Sequence, residues 1–252
     1  MKQLKKKLAD NLSRVEGEIA SACGRVGRDP SEVMLVVITK SVGLEVIRAL
    51  VELGQVEFGE NRSQELVKRA AMVEELSLRA KRTGVAGRDC LGELPSIHWH
   101  MVGHLQRNKV AIVLSCSQMI HSVDSLRLAE EISIQAGKRD RPVDILMEVN
   151  CSGESSKYGV IPAAVNHLAE QFSTLDHIRL AGLMTMGPLA DRAEDSRLAF
   201  VRLRELFEEM HAGRYVGKEC RHLSMGTTQD YAVAVEEGAT MVRVGRALFE
   251  GL

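Results

Sequence analysis

Leu4, Leu8, Leu12, Val15, Ile19, Ala22 and Val26 recur at steps of three and four, the spacing that stacks side chains on one stripe of a helix. Gly24, Gly27 and Pro30 punctuate its end. The pattern predicts an N-terminal helix over residues 1–28, packed on the rest of the molecule. Beyond it the period changes. Short apolar runs lie at 33–39, 56–59, 97–102, 118–122, 143–149, 178–184, 222–225 and 240–244. Several are nearly unbroken, as strands buried on both faces should be. Amphipathic stretches at 44–53, 61–78, 108–114, 125–136, 162–172, 194–211 and 228–237 separate them. Strands alternating with helices predict a parallel sheet, and a count of eight suggests closure into a (β/α)8 TIM barrel. An open doubly wound sheet is the alternative. Residues 79–95 (RAKRTGVAGRDCLGELP) read as a surface loop. No linker or composition shift divides the chain, so 1–252 is expected to be one domain. The chain stops soon after the eighth run, so no second domain is expected after the barrel.

The 252 residues suit such a barrel, which commonly takes about 250. Charge is balanced, 33 Lys and Arg against 34 Asp and Glu, so no net field draws nucleic acid or an anionic membrane. The five cysteines are scattered, without a C-x-x-C pair; reduced thiols fit better than disulfides or zinc. No apolar stretch succeeds the basic N-terminus as a secretory signal requires, and no run is long enough to span a membrane. A cytoplasmic protein is expected. No apolar surface helix asks for a partner, so a monomer is expected too.

Unusual polar residues fall at the C-terminal ends of the apolar runs: Lys40, Glu60, Asn61, His100, Gly103, His104, Ser122, Asp124, Asn150, Thr185, Ser224, Gly226, Thr227, Thr228, Arg243 and Gly245. In a barrel these ends converge on one mouth, where such folds place their active sites. Lys40 closes VMLVVITK. An amine at the edge of a buried strand is desolvated, which favours its neutral, nucleophilic form; a lysine snorkelling at a strand end is the plainer alternative. The turn from His222 to Asp230, rich in small residues, and the Val242-Arg-Val-Gly-Arg246 segment suit a phosphate held by backbone N–H groups and hydroxyls. An ordinary helix capped by Thr227 or Thr228 is the competing view. Arg243 alternates with Val242 and Val244. If it points into the mouth it needs an acceptor, either a pyridine nitrogen or an inward carboxylate such as Glu148. His98, His100 and His104 tempt a metal assignment, but no carboxylate stands at ligand spacing, and no metal is expected. The loop at 151–159 reads as a lip over the mouth or as a plain βα connection. Neither G-x-S-x-G nor G-x-G-x-x-G occurs, which removes the main support for a hydrolase or a dinucleotide site.

The stretches VVITK (36–40), FGENRSQE (58–65), IHWHMVGHLQRNK (97–109), IHSVDS (120–125), EVNCSGESSKYGV (148–160), LAGLMTM (180–186) and HLSMGTTQDYAVAVEEGATMVRVGRALFEG (222–251) together resemble the pyridoxal phosphate homeostasis proteins, which look like the N-terminal barrel of alanine racemase. The resemblance implies a protein that carries or buffers pyridoxal 5′-phosphate (PLP) and takes part in vitamin B6 and amino-acid or keto-acid balance. It implies a Schiff base on Lys40, Asn61 near the cofactor, and Arg243 facing the pyridine nitrogen. It implies Ser224, Gly226, Thr228 and Gly245 around the phosphate, and Met225 against the ring. PLP-dependent apoenzymes would be recipients. A PLP-dependent amino-acid racemase is the alternative, and it needs a second proton carrier. Tyr158, standing where the family's S-K-S-G reads S-K-Y-G, is the tyrosine expected near the mouth.

Overall fold

The computed structural model describes residues 2–83 and 96–252. Its first element, α1 (Lys2–Val26), is the expected amphipathic helix. Leu8, Leu12, Val15, Ile19, Ala22 and Cys23 are buried, each large aliphatic worth about 1.5–3 kcal/mol. The stripe closes on Cys23, and Val26 is exposed, because the chain turns away at Gly27. Polar contacts fasten α1 to the end of the chain. Arg28 donates to the carbonyls of Val235 and Ala239 at 2.8 and 3.0 Å. Asn11 and Arg14 donate to those of Leu248 and Ala247 at 3.0 and 2.8 Å.

The remaining elements alternate. The strands are β1 (Met34–Ile38), β2 (Glu57–Glu60), β3 (His98–Met101), β4 (Ser117–Val123), β5 (Val143–Glu148), β6 (Ile178–Met184), β7 (His222–Ser224) and β8 (Met241–Val244). The helices are α2 (Leu44–Glu52), α3 (Ser63–Thr83), α4 (Val110–Val113), α5 (Leu126–Gly137), α6 (Val165–Ser173), α7 (Arg197–Ala212) and α8 (Tyr231–Glu236). The strands close into a parallel barrel in sequence order, β1 pairing with both β2 and β8. This is the (β/α)8 barrel; the open sheet is not adopted.

Two expected boundaries shift for local reasons. The loop expected at 79–95 is helical through Thr83, and its remainder lies outside the described residues. The last helix begins at Tyr231 rather than Thr228. Asp230 accepts from the Thr227 N–H at 2.7 Å and from its hydroxyl at 3.1 Å, and so holds 227–230 as a turn.

Side chains alternate across each strand. The main core lies between barrel and helices, with Phe58, Trp99, Met101, Ile120, Ile145, Leu183 and Val242 facing outward. Inside the barrel the described residues form two small apolar clusters, one around Met119, Leu146 and Met184, the other around Val36, Ile38 and Val102. At the β6–β7 seam Gly182 pairs with His222, and a Cβ on it would sit 1.9 Å from the His222 carbonyl oxygen. Gly182→Ala should cost more than about 3 kcal/mol in urea unfolding, because a backbone atom cannot yield. Gly17→Ala, with nothing near its Cβ inside α1, should instead gain about 0.5–1 kcal/mol. Equal effects from the two would refute the steric account.

Candidate functional site

The strand C-termini surround a cavity of about 340 Å³, within the range of small-molecule sites. Lys40 comes after β1, Asn61 after β2, and Thr228 after β7. Arg243 comes from β8 and Gly245 from just beyond it. These five residues, singled out in the sequence, border the same space. Gly103 brings the loops after β2 and β3 together: a Cβ there would lie 2.2 Å from the Asn61 carbonyl oxygen.

The strand's burial ends at Thr39, and Lys40 is exposed. The desolvation expected for its amine is therefore not provided by the strand edge. Thr39 is sealed instead, donating to Glu60 at 2.6 Å. Glu60 itself faces α3, where the Arg69 guanidinium lies 2.9 Å away. Strand alternation turns it from the mouth, and burial raises its pKa.

Arg243 is 4% exposed. Its guanidinium donates to the Ser224 hydroxyl at 2.6 Å, to the Thr185 carbonyl at 2.9 Å and to the Met186 sulfur at 3.0 Å. All three acceptors are neutral, so the Glu148 ion pair considered as an alternative does not form; Glu148 and Asp230 act on it only through space. Burial lowers the Arg243 pKa to about 10. Glu148, itself bordering the cavity, has no arginine in contact among the described residues. Burial, reinforced by the charge of Asp124, pushes its carboxyl up to about 7.

Ser224 is fully buried and accepts from Arg243, which borders the cavity. Met225, the next residue, alternates outward into the barrel–helix core; the methionine bordering the cavity is Met186. Gly226 packs on Tyr231 and Ala234 of α8 and accepts from the Arg243 N–H at 3.0 Å. The Thr227 N–H is consumed by Asp230, although Thr227 borders the cavity beside Thr228. Arg246, which ends the segment read as suiting a phosphate but was given no role of its own, stands at the same rim.

The loop after β5 is held rather than loose. The Asn150 amide donates to the Glu154 carbonyl at 2.9 Å and accepts from the Gly153 N–H at 3.0 Å. Tyr158 stacks on His104 with ring centroids 3.9 Å apart, and His104 lies 3.2 Å from Asp124. His98 and His100 both meet the Glu57 carboxylate at 2.7 Å, which accounts for two of the histidines that suggested a metal. Cys23, Cys116, Cys151 and Cys220 are free thiols; Cys90 lies outside the described residues.

A lysine and a buried arginine meeting in the mouth of a parallel barrel define a class of protein. Residues 11–252 match the family model described as alanine racemase, N-terminal domain, and the chain is a barrel of that class. The pyridoxal phosphate homeostasis protein of Aquifex aeolicus is 38% identical over 240 residues, 95% of this chain and 96% of the relative. The chain belongs to the pyridoxal phosphate homeostasis protein family. Among solved structures, PipY of Synechococcus elongatus with PLP bound is 30% identical, with a TM-score of 0.74, covering 92% of this chain and 99% of that one. An unknown protein from Bifidobacterium adolescentis is 38% identical, with a TM-score of 0.86, covering 99% of this chain and 97% of that one.

The Glu148 carboxyl yields a stability prediction. It titrates higher in the folded chain than its ordinary value of 4.5, so the fold binds that proton more tightly than the unfolded chain does. The contribution is intact below about pH 4.5 and lost as pH rises through about 7. Glu148→Gln should leave stability near pH 4.5 almost unchanged and raise it at about pH 8 by up to about 3 kcal/mol. Urea unfolding at both pH values checks this; a pH-independent difference would contradict it.

Proposed function

We propose that the chain binds PLP in this cavity, covalently through Lys40, and serves as a carrier that buffers the cofactor within cellular PLP and amino-acid or keto-acid balance. The observation that carries this reading is the meeting of Lys40 and Arg243, from adjacent strands β1 and β8, around one cavity. When bound, PLP supplies an aldehyde and an electron-withdrawing ring. The residues present suit it. Arg243 is a permanent donor whose own partners are all neutral, and a guanidinium opposite a pyridine nitrogen keeps that nitrogen unprotonated. Thr228, Gly245 and Arg246 offer a hydroxyl, backbone and a cation to a phosphate on the β7–β8 side. Asn61 and Met186 complete the walls.

Two-base racemisation would need a second proton carrier facing the substrate. Tyr158 is 57% exposed and spends its ring face on His104 rather than bordering the cavity, which favours the carrier. PLP-dependent apoenzymes would be the recipients. We place the protein in the cytoplasm as a monomer built from one domain; no helix among the described residues is long and apolar enough to cross a membrane.

Incubation with PLP should give a visible absorbance band, and borohydride should fix a pyridoxyl group on the Lys40 peptide. Lys40→Ala should remove that adduct and weaken binding about tenfold or more, a change of at least about 1.4 kcal/mol. Arg243→Gln should keep the adduct and shift the band. Absence of any band or adduct in the unmodified protein would sink the assignment. Alanine racemisation at a rate fit for metabolism would move the reading to the enzyme.

A further inference from the structure

Four side chains join Arg243 to the opposite end of the barrel. Ser224 Oγ accepts from Arg243 at 2.6 Å and lies 2.9 Å from His121 Nδ1. His121 Nε2 lies 2.9 Å from His100 Nδ1, and the two rings meet edge to face. His100 Nε2 lies 2.7 Å from a Glu57 oxygen, whose other oxygen takes His98 at 2.7 Å. Ser224, His121, His100 and Arg243 are all buried. Glu57 opens the second strand and borders a separate cavity, beside Ile19, Pro30 and Gln55. The chain thus crosses the interior between two openings.

The end groups fix its direction. Arg243 can only donate, and an ionised Glu57 can only accept. With Arg243 donating to its oxygen, Ser224 has its own proton left for His121 Nδ1. A neutral imidazole carries one N–H, so His121 must hold its proton on Nε2 and give it to His100 Nδ1. His100 then holds its proton on Nε2 and gives it to Glu57. The reverse order would set the bare His100 Nε2 against a carboxylate, lone pair to lone pair. Burial, with the positive charge of Arg243 nearby, keeps the His121 pKa well below its ordinary value. Burial works against ionised Glu57, but the hydrogen bonds from His100 and His98 prevail and hold its pKa down.

We propose that Glu57, His100, His121 and Ser224 form a one-way hydrogen-bond relay that positions Arg243 and brings it, across the barrel, the compensating polarity of a carboxylate that it does not touch. Aligned bonds polarise one another in a low dielectric. The relay therefore holds the guanidinium in place and in its charged form without an acid in contact that would compete for its remaining N–H groups. His100 and His121 are positioning residues. Their effect on the cofactor rests on the function proposed above; their proton positions do not.

The test starts on the full chain without cofactor, with nitrogen-15-labelled histidine, at about pH 7.5. Nitrogen–hydrogen correlation spectra, assigned with single His→Gln variants, should show the proton of each ring, His100 and His121, on Nε2, with Nδ1 bare. An Nδ1 proton on either ring, or a charged His121, overturns the relay. A second measurement uses PLP as the probe. His121→Gln preserves one acceptor and one donor in series; His121→Phe preserves neither. His121→Phe should weaken PLP binding about tenfold and shift the bound cofactor's band, while His121→Gln stays within about twofold. Equal behaviour of the two variants overturns the relay. If the unmodified protein binds no PLP, the cofactor assignment fails, and the relay is still judged by its tautomers. Those spectra also decide the matter if His121→Phe does not fold.

Discussion

A guanidinium sealed inside a barrel must be compensated, and much of this interior is arranged around that requirement at Arg243. Removing an ion from water costs several kcal/mol even after relaxation. Strands β3, β4, β6 and β7 all present polar groups toward it or toward its partners: His100, His121, the Thr185 carbonyl beyond β6, and Ser224. These groups divide the apolar filling of the barrel into two small clusters. The stability lost there is supplied outside, where the continuous core between strands and helices extends onto α1.

That division decides how much could be read from the chain. The outward faces repeat apolar residues at the strand period, and the helices repeat them at three and four, so all eight strands and the main helices are visible as patterns. Lys40 and Arg243 are visible because a charge interrupts an apolar run. Parity is harder to read at strand ends. Glu60 and Met225 stand beside mouth residues in sequence, yet alternation sends both outward, to α3 and to the barrel–helix core. The relay is harder still. Its members come from β2, β3, β4 and β7, and no spacing along the chain brings Glu57 to His100 or His121 to Ser224. Glu57 in particular reads as an ordinary charge at a strand start. What makes it significant is the two histidines that donate to it.

The mouth is also asymmetric in charge, and this bears on how a ligand would lie in it. Asp124 and Glu148 occupy the β4–β5 side, where Asp124 holds His104, and where burial, with the charge of Asp124 behind it, raises the pKa of Glu148. Arg243 and Arg246 belong to β8 and the turn after it, beside the hydroxyl of Thr228. An anionic group entering the cavity is repelled from the first side and finds donors on the second. Lys40, just after the neighbouring strand β1, borders the same cavity as these donors. Near neutrality Glu148 holds its proton for part of the time, so the repulsion from that wall grows with pH. Orientation in this site is set by where the carboxylates are kept as much as by where the cations stand.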